Sequence, residues 1–381
     1  MKTILWILLI ILALVFILPA VLSLGGINLF PSGSGGSAKI SGVIIRSASG
    51  GKEWAVPVFS GKNVPSSIFD IAFSPANPDM LLAAAKSSGI WKSKDGGAAW
   101  EPLVDQAHVL SPTADVYKIA VSQANPKILY AAVYQDSKGR ILKSEDGGEH
   151  FREVYFVTAS RFGVFDVYAD QNYANTVIAA TGEGLILKSD DGGTSWRVKH
   201  NFGEPITILA VNPAYTQEMY VVTSAERLSK SFDGGETWTD LSLEEAGTVN
   251  PSNNGYVYQG PTHYARPVYF FSPPVTPFVI DPHAPATLYR GTRDNLLRSQ
   301  NGGFSWTPVK TLFGDRNTSP RVPALDPHDA GALLVAAGTE LDASQDRGIT
   351  WSTRTFPASA PAKKMLIHPL QPEIVFILLG K

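Results

Sequence analysis

The chain alternates short apolar runs with turn residues, and one such pattern occurs seven times. Each copy consists of an apolar strand, a polar turn that mostly contains Pro, and a second apolar strand. Runs of about four to eight apolar residues bounded by turn residues are typical of β-strands. The copies are IAFSPANPDMLLAAA from Ile71, IAVSQANPKILYAAV from Ile119, VYADQNYANTVIAAT from Val167, LAVNPAYTQEMYVVT from Leu209, FVIDPHAPATLYRGT from Phe278, PALDPHDAGALLVAAGT from Pro323 and LIHPLQPEIVFILLGK from Leu366. The recurrence predicts a repeat protein built of β-strands.

A second motif recurs between these strand pairs: a serine, an Asp-Gly-Gly turn and an aromatic residue. Asp-Gly between apolar runs favours a hairpin, because Gly supplies the positive φ that the turn needs. Each unit is therefore predicted to hold four antiparallel strands, A to D, with the motif between C and D. The copies are SKDGGAAW (Ser93 to Trp100), SEDGGEHF (Ser144 to Phe151), SDDGGTSW (Ser189 to Trp196), SFDGGETW (Ser231 to Trp238), SQNGGFSW (Ser299 to Trp306), SQDRGITW (Ser344 to Trp351) and the weaker SASGGKEW (Ser47 to Trp54).

Four antiparallel strands in roughly 45 to 50 residues is the blade period of a β-propeller. The first motif copy, at Ser47, precedes any A strand, and the last A and B strands, from Leu366 to Lys381, have no motif after them. We therefore expect strands C and D at the N-terminal side, Ile40 to Ser47 and Lys52 to Phe59, to complete the blade begun at the C-terminus. The predicted fold is an all-β, seven-bladed propeller of four-stranded antiparallel blades, closed in this way over residues 40–381. Such closure hides the sheet edges.

The N-terminal segment has a different pattern. Thr3 to Leu24 carries no charge, and as a helix it is long enough to cross the hydrocarbon core of a bilayer, which is about 30 Å thick. Residues 1–26 are predicted to be a transmembrane signal anchor, with a cleaved signal peptide as the alternative. Residues 27–39 are predicted to be a Gly/Ser-rich linker. Lys2 precedes the segment and the next charge is Lys39, so the positive-inside rule places the propeller outside the membrane.

Composition narrows the function. The chain of 381 residues has 32 Lys and Arg against 34 Asp and Glu, a net charge of −2 and no Cys. The absence of thiols excludes a disulfide scaffold, a Cys-ligated zinc or iron–sulfur centre and a cysteine nucleophile. The balanced charge gives no general attraction to nucleic acid. We predict no nucleic-acid partner, no cofactor and no metal.

The S-x-D-x-G-x-x-W motif after a Pro-containing strand pair resembles the Asp-box (bacterial neuraminidase, BNR) repeat. This repeat occurs in sialidases, xyloglucanases, the sortilin ectodomain and propellers of the photosystem II stability/assembly factor type. The resemblance covers about Ile40 to Lys381 and implies the propeller fold, with the boxes on the face opposite a substrate site. It does not choose between enzymes and binding proteins, because this fold hosts both.

The box Asp residues are predicted to be structural, because Asp at such a turn accepts backbone N–H bonds. They are Asp95, Asp146, Asp191, Asp233 and Asp346, with Asn301 in the corresponding position of the box that begins at Ser299. The Asp-Pro-His copies at Asp281 and Asp326, and His368, fall in A to B turns of separate blades. They are predicted to be turn residues rather than a metal cluster.

Two candidate sites lie on the opposite face, which carries the D to A and B to C connections. The first is the long connection from Leu241 to Pro277, whose density of aromatic, His and Arg side chains suits either a binding surface or a cap on the propeller. Its candidate binding residues are Tyr256, Tyr258, His263, Tyr264, Arg266 and Tyr269.

The second candidate site is the mouth of the central channel. Asp70, Lys118, Asp166 and Lys364 stand close to the start of successive A strands. Their alternating signs fit a ring of ion pairs as well as a ligand site.

Two functions remain open. A glycoside hydrolase needs two carboxylates, or in sialidases a Tyr, a Glu and three arginines. Here the carboxylates would be Asp70 and Asp166, and the arginines would come from Arg266, Arg290, Arg293 and Arg321. A single tethered propeller needs no such set of catalytic residues to act as a protein-binding or complex-assembly scaffold. The sequence favours a non-enzymatic scaffold at the cell membrane, on the extracytoplasmic side of a bacterial envelope, with a glycan-binding protein or glycoside hydrolase as the alternative.

Overall fold

The computed structural model describes residues 43–159, 162–241, 277–293, 295–313 and 319–380. These residues form 28 β-strands in seven sheets. The strands of the first half are β1 (Ile44–Ser47), β2 (Val58–Phe59), β3 (Ile68–Phe73), β4 (Leu81–Ala85), β5 (Ile90–Ser93), β6 (Ala99–Pro102), β7 (Asp115–Val121), β8 (Leu129–Gln135), β9 (Lys138–Ser144), β10 (Phe151–Phe156), β11 (Val164–Ala169), β12 (Val177–Thr181), β13 (Leu185–Ser189) and β14 (Arg197–Asn201). Those of the second half are β15 (Ile206–Val211), β16 (Met219–Thr223), β17 (Leu228–Ser231), β18 (Thr239–Leu241), β19 (Phe278–Ile280), β20 (Leu288–Gly291), β21 (Leu296–Ser299), β22 (Thr307–Val309), β23 (Val322–Leu325), β24 (Leu333–Ala337), β25 (Glu340–Ser344), β26 (Ser352–Thr355), β27 (Ala362–Ile367) and β28 (Val375–Leu379).

The sheets are the seven predicted blades. Blades 1 to 6 begin with the A strands β3, β7, β11, β15, β19 and β23, and each adds its B, C and D strands in antiparallel order. Blade 7 begins with β27. Successive A strands contact one another from β3 to β27, and β28 contacts β3, so the A strands form the inner circle of the propeller. The predicted seven-bladed propeller is confirmed.

Blade 7 closes the circle with one difference from the prediction. Strand β1 pairs with β28 through residues 44–47, which confirms the predicted C strand. The predicted D strand, Lys52 to Phe59, contributes only one bridge, between Ala55 and Arg46. Its last residues form β2, which instead pairs in parallel with β6 of blade 1. Blade 7 therefore has three strands, and the chain that leaves it extends the sheet of blade 1.

The hydrophobic core lies between the blades. In β4, Leu81, Ala83 and Ala85 pack against blade 7, whereas Leu82 and Ala84 pack against blade 2. Because both faces of a B strand are covered, every position of β4 is buried. The same burial explains why the B strands are apolar without alternation, as in sheets that are buried on both sides.

The two ends of the blades differ in their connections. At one end lie the A to B turns and the Asp boxes, because Ser93 at the end of β5 pairs with Leu81 at the start of β4. We call this end the box face. The D to A connections and B to C turns lie at the opposite end, where Ile68 pairs with Ala85. We call this end the loop face.

Each Asp box is a small hydrogen-bonded turn. In the first, the Ser93 hydroxyl donates to Asp95 Oδ1 at 2.8 Å and accepts the Gly97 N–H at 2.9 Å. Asp95 Oδ1 also accepts the N–H groups of Ala98 and Ala99. The Trp100 indole donates to the Gly97 carbonyl at 3.1 Å and is buried. Asn301 replaces the carboxylate with an amide oxygen and accepts the Ser305 N–H at 2.9 Å.

A basic residue before the box serine joins neighbouring blades. Arg46 Nε donates to the Gly96 carbonyl of the next box at 2.7 Å. Lys230 Nζ donates to the Gly302 carbonyl at 3.3 Å. Arg298 donates to the carbonyl of Arg347, which occupies the corresponding position of its box. The boxes therefore link blades to one another as well as strands C and D.

Candidate functional site

A β-bulge interrupts the A strand at the same place in five blades. In blade 1 the pairing passes from Ile68 to Asp70 and leaves Phe69 without a partner in β4. The equivalent unpaired residues are Tyr117, Phe165, Thr207 and Lys363. A bulge changes the direction of a side chain, so these five residues differ in direction from regular strand positions. All lie at the loop-face end of the inner strands.

Four of the bulge residues lie in successive blades at the channel mouth. In blade order they are Lys363, Phe69, Tyr117 and Phe165, and we call them the bulge track. The rings of Phe69 and Tyr117 stack with centroids 5.2 Å apart and an interplanar angle of 24°. The rings of Tyr117 and Phe165 meet edge to face, 5.1 Å apart at 88°. All four side chains are half-buried.

The charged residues predicted at the channel mouth follow the bulge residues directly. Asp70 lies between two ammonium groups: Lys118 Nζ is 3.1 Å from Asp70 Oδ2, and Lys364 Nζ bonds Asp70 Oδ1. The Asp70 side chain is 3% exposed, whereas those of Lys118 and Lys364 are 30% and 36% exposed. Asp166 accepts the Leu209 N–H of blade 4 at 3.2 Å. The structure therefore brings Asp70, Lys118 and Lys364 into one ion-pair group that spans blades 7, 1 and 2.

The protonation states of the two carboxylates are pushed in opposite directions. Burial of Asp70 opposes its charge, but Lys118 and Lys364 outweigh burial and hold its pKa below the usual value. Burial raises the pKa of Asp166, and the attraction of Lys118 does not offset it. Burial also lowers the pKa of Lys364, although Asp70 attracts it. Asp70 is thus the ionised centre of the group.

The loop face also carries Lys363 and Lys86. Lys363 belongs to the bulge track, and Lys86 lies at the B to C turn of blade 1, where it is exposed. Burial lowers the pKa of Lys363, and repulsion by the ammonium group of Lys86 lowers it further. Within the described residues, neither lysine forms an ion pair. Lys92, Lys94 and Lys188, by contrast, each pair with a carboxylate.

The other predicted site residues fall into two groups. The loop residues Tyr256, Tyr258, His263, Tyr264, Arg266 and Tyr269 lie outside the described residues, as does the apolar segment Thr3 to Leu24. Arg290 and Arg321 are described, but their side chains are 1% and 5% exposed. Arg290 donates to the Glu226 carbonyl at 2.8 Å. Neither arginine is exposed to a substrate carboxylate.

The box carboxylates accept hydrogen bonds from residues of their own turns. Hydrogen bonds from the Ser195 hydroxyl and N–H lower the pKa of Asp191 to about 2, and Thr350 does the same for Asp346. Asp146, Glu149 and His150 place one ligand atom each within 4.8 Å of one another. This group is exposed on the box face, and Asp146 already bonds His150 Nδ1 and N–H. Its geometry is that of a box turn.

Sequence reasoning missed the bulge track, although a signal was present. Three A strands carry an aromatic residue directly before the charged one, in FDI, YKI and FDV from Phe69, Tyr117 and Phe165. Charge alone indicates the second residue of each pair as a candidate site residue and not the aromatic residue before it. The sequence pattern does not indicate a bulge. The bulge leaves each aromatic residue unpaired, so its side chain does not follow the regular alternation along the strand.

Together, the blades and the boxes define a seven-bladed β-propeller with an aromatic and charged channel mouth on its loop face. In the part of the chain that the structure describes, no helix is sufficiently long and apolar to span a bilayer. No protein-family model matches the chain, and no curated protein matches it. Solved structures therefore supply the comparison.

Three solved propellers show the range of similar folds. YCF48 from Cyanidioschyzon merolae has a TM-score of 0.61 and 15% identity, over 84% of this chain and 97% of its own. YCF48 bound to a D1 peptide has a TM-score of 0.59 and 15% identity, over 86% of this chain and 98% of its own. The GH74 xyloglucanase from Xanthomonas campestris has a TM-score of 0.60 and 16% identity over 82% of this chain. The chain spans about half of the xyloglucanase, 50%. At such identities the likeness concerns the fold alone.

Proposed function

We propose that this protein is a membrane-anchored, extracytoplasmic propeller that binds a partner protein through the bulge track on its loop face. The observation that supports this proposal most directly is the packing of the aromatic rings against one another. Phe69 and Tyr117 stack on each other, so one face of each ring is covered within the track and is closed to a sugar. Sugar rings stack on open aromatic faces, whereas the aliphatic and aromatic side chains of a protein also pack against ring edges.

A solved propeller of similar fold, YCF48, supports the proposed protein-binding function. YCF48 binds a D1 peptide, so a propeller of this size and blade number can act by binding another protein's segment. The membrane anchor rests on the uncharged segment Thr3 to Leu24 and on Lys2 before it. A membrane-protein complex is the natural partner of a propeller that is tethered in this way.

The binding function is tested with the full chain and detergent-solubilised membranes of the host. Tyr117→Ala should lower the recovery of the partner about tenfold or more, because a central aromatic contact contributes most of the binding free energy of an interface. The matched control is Phe304→Ala, which removes an exposed ring, 56% exposed, on the box face. Equal recovery by Tyr117→Ala and by the unaltered chain contradicts a binding surface at the bulge track.

The membrane anchor has its own test. Alkaline carbonate washing should leave the full chain in the membrane pellet, and a chain that starts at Lys39 should be released. External protease should digest the propeller in intact spheroplasts, because the positive-inside rule places it outside. Release of the full chain by carbonate contradicts an uncleaved anchor.

Glycoside hydrolysis is the second candidate function, and one observation favours it. Asp70 and Asp166 have pKa values pushed in opposite directions, which is the arrangement of an acid and a base. Against it, both Asp70 oxygens already bond lysines and the side chain is buried. Release of reducing sugar from xyloglucan, lost in Asp166→Asn, would establish this function instead.

A further inference from the structure

Two lysines of the loop face, Lys363 and Lys86, form no ion pair with any carboxylate that the structure describes. Lys363 occupies in blade 7 the position that Phe69, Tyr117 and Phe165 occupy in blades 1 to 3. The ammonium group of Lys86 repels that of Lys363. No described carboxylate neutralises either ammonium group. One end of the bulge track is thus cationic and the rest is apolar.

This charge is local. The whole chain has a net charge of −2, and the neighbouring Lys118 and Lys364 share the counter-charge of Asp70. Burying two unpaired ammonium groups under a neutral partner would cost free energy, since each would lose water without gaining a counter-charge. A partner that covers this end of the bulge track therefore needs an anion there.

The dimensions indicate how much of a partner the bulge track can hold. The three rings are separated by 5.2 Å and 5.1 Å. Their total length is therefore at most roughly 10 Å, which is about three residues of an extended chain. The aromatic rings suit apolar side chains. The bulge track has room for a short segment and not for a globular surface.

We propose that the bulge track and Lys86 bind an extended acidic segment of the partner protein. A carboxylate of the segment lies at Lys363 and Lys86, and the next two residues on the same side of the extended chain place apolar side chains against the rings of Phe69, Tyr117 and Phe165. This inference rests on the proposed protein-binding function and adds the chemistry of the partner. Charge complementarity of this kind sets specificity and the rate of association more than total affinity.

The test uses the full chain in detergent and three fluorescent synthetic peptides. The first places Asp-Glu before Phe-Leu-Phe, the second replaces the acids by Asn-Gln, and the third replaces them by Lys-Lys. Fluorescence anisotropy should show that the acidic peptide binds about tenfold more tightly than the amide peptide. The difference should shrink as salt is raised, because part of the charge is exposed.

Charge reversal supplies a gain of function. The double variant Lys86→Glu with Lys363→Glu should lose the preference for the acidic peptide and bind the Lys-Lys peptide instead. The control is Lys127→Glu, an exposed lysine in an A to B turn on the box face. Binding of the lysine peptide by the reversed variant also shows that it remains folded. Equal binding of the acidic and amide peptides, or the same loss in Lys127→Glu, overturns the inference.

The two proposals fail in different ways. If Tyr117→Ala abolishes partner capture and the charge-reversed variant does not, the protein-binding function stands and the acidic segment is excluded. If polygalacturonate binds in a lysine-dependent manner and the acidic peptide does not, the ligand is an acidic glycan and the inference is overturned. If neither lysine nor aromatic variants change partner capture, both proposals fall.

Discussion

The imidazole of His368 joins the last blade of the propeller to the first. His368 Nε2 lies 2.7 Å from the carbonyl oxygen of Pro78, 290 residues away in the sequence. Its Nδ1 is 3.1 Å from the backbone nitrogens of both Leu370 and Gln371. Because Nδ1 accepts these two N–H bonds, it carries no proton, and Nε2–H donates to Pro78. The geometry therefore requires the neutral ring.

Two other histidines make the same kind of contact. His283 Nε2 is 3.0 Å from the Asp326 carbonyl, and His328 Nε2 is 2.8 Å from the Pro369 carbonyl. Each histidine stands in an A to B turn and reaches the same turn of the next blade. The three contacts run in sequence from blade 5 through blades 6 and 7 to blade 1. The positions that looked like a metal cluster therefore hold neighbouring blades together.

The His368 contact predicts that the propeller loses stability in mild acid. His368 is fully buried, and burial lowers its pKa below the usual 6.5. The unfolded chain then binds a proton more readily than the folded one. The stabilisation is complete above about pH 6.5 and is lost as the pH falls through the lower folded pKa, by at most about 1.4 kcal/mol per pH unit. Urea unfolding at pH 8, 7, 6 and 5 measures it.

The control is a pair of substitutions. His368→Leu should be less stable at pH 8, because it leaves the Pro78 carbonyl and two N–H groups without their bonds. Its free energy of unfolding should, however, vary less between pH 7 and pH 5. His328→Leu removes the equivalent contact to the Pro369 carbonyl from an exposed ring and serves as the comparison for loss of the contact alone. An unchanged pH dependence in His368→Leu contradicts the assignment.

The two carboxylates of the channel mouth should respond in opposite ways to loss of charge. Asp70→Asn leaves Lys118 and Lys364 facing each other without a counter-ion, and breaking a buried ion pair in this manner costs about 3 kcal/mol or more. The lowered pKa of Asp70 means that its contribution is present above the unfolded value of 3.8 and is lost as pH falls below it. Equilibrium unfolding at pH 7 measures the loss.

Asp166→Asn is the matched comparison. The folded pKa of Asp166 is raised, so its contribution is greatest at low pH and declines as pH rises through that pKa. At pH 7 the substitution should be neutral or slightly stabilising, because the amide keeps an oxygen for the Leu209 N–H. A loss as large as that of Asp70→Asn would show that Asp166 is ionised and paired.

The blades were predictable because their signals are local. Strand, turn and box each occupy fewer than ten consecutive residues, and their order alone required Ser47 and its strand to close the last blade. The partners of His368 and Lys364 were not predictable, since they lie 290 and 294 residues away. The parallel pairing of Val58 and Phe59 also depends on the position of blade 1. Apolar alternation carries no information about such contacts.

The box carboxylate should contribute through hydrogen bonds rather than through charge. Asp95→Asn keeps the oxygen that accepts the Ala98 and Ala99 N–H groups, as Asn301 does in the fifth blade. It should change the free energy of unfolding by less than about 0.5 kcal/mol. Asp95→Ala removes the acceptor and should cost about 1 kcal/mol, as does loss of a helix cap. Urea unfolding of both variants, with Asn301→Ala as the parallel case, measures the difference. A similar loss in Asp95→Asn and Asp95→Ala would show that charge matters.

The second glycine of the first box should be the most sensitive position at the closing seam. Gly97 has φ +84°, and a Cβ there would lie 2.5 Å from Cζ and 2.6 Å from Cε1 of Phe376 in blade 7. Phe376 is fully buried, so its ring has little room to move. Gly97→Ala combines the cost of a positive φ, about 1–2 kcal/mol, with overpacking of about 1–3 kcal/mol.

A substitution at Gly147 measures the cost of the positive φ without the cost of overpacking. Gly147 has nearly the same backbone angle, φ +83°, but a Cβ there would meet nothing within 4 Å. Gly147→Ala should therefore show the backbone cost alone, about 1–2 kcal/mol. Adding Phe376→Leu to Gly97→Ala should relieve the clash between blades 1 and 7, so that the two substitutions are not additive. Equilibrium unfolding of Gly97→Ala, Gly147→Ala, Phe376→Leu and the double variant in urea measures each step. Equal losses in Gly97→Ala and Gly147→Ala would mean that Phe376 does not pack on the first box, and the closing contact described above would then be wrong.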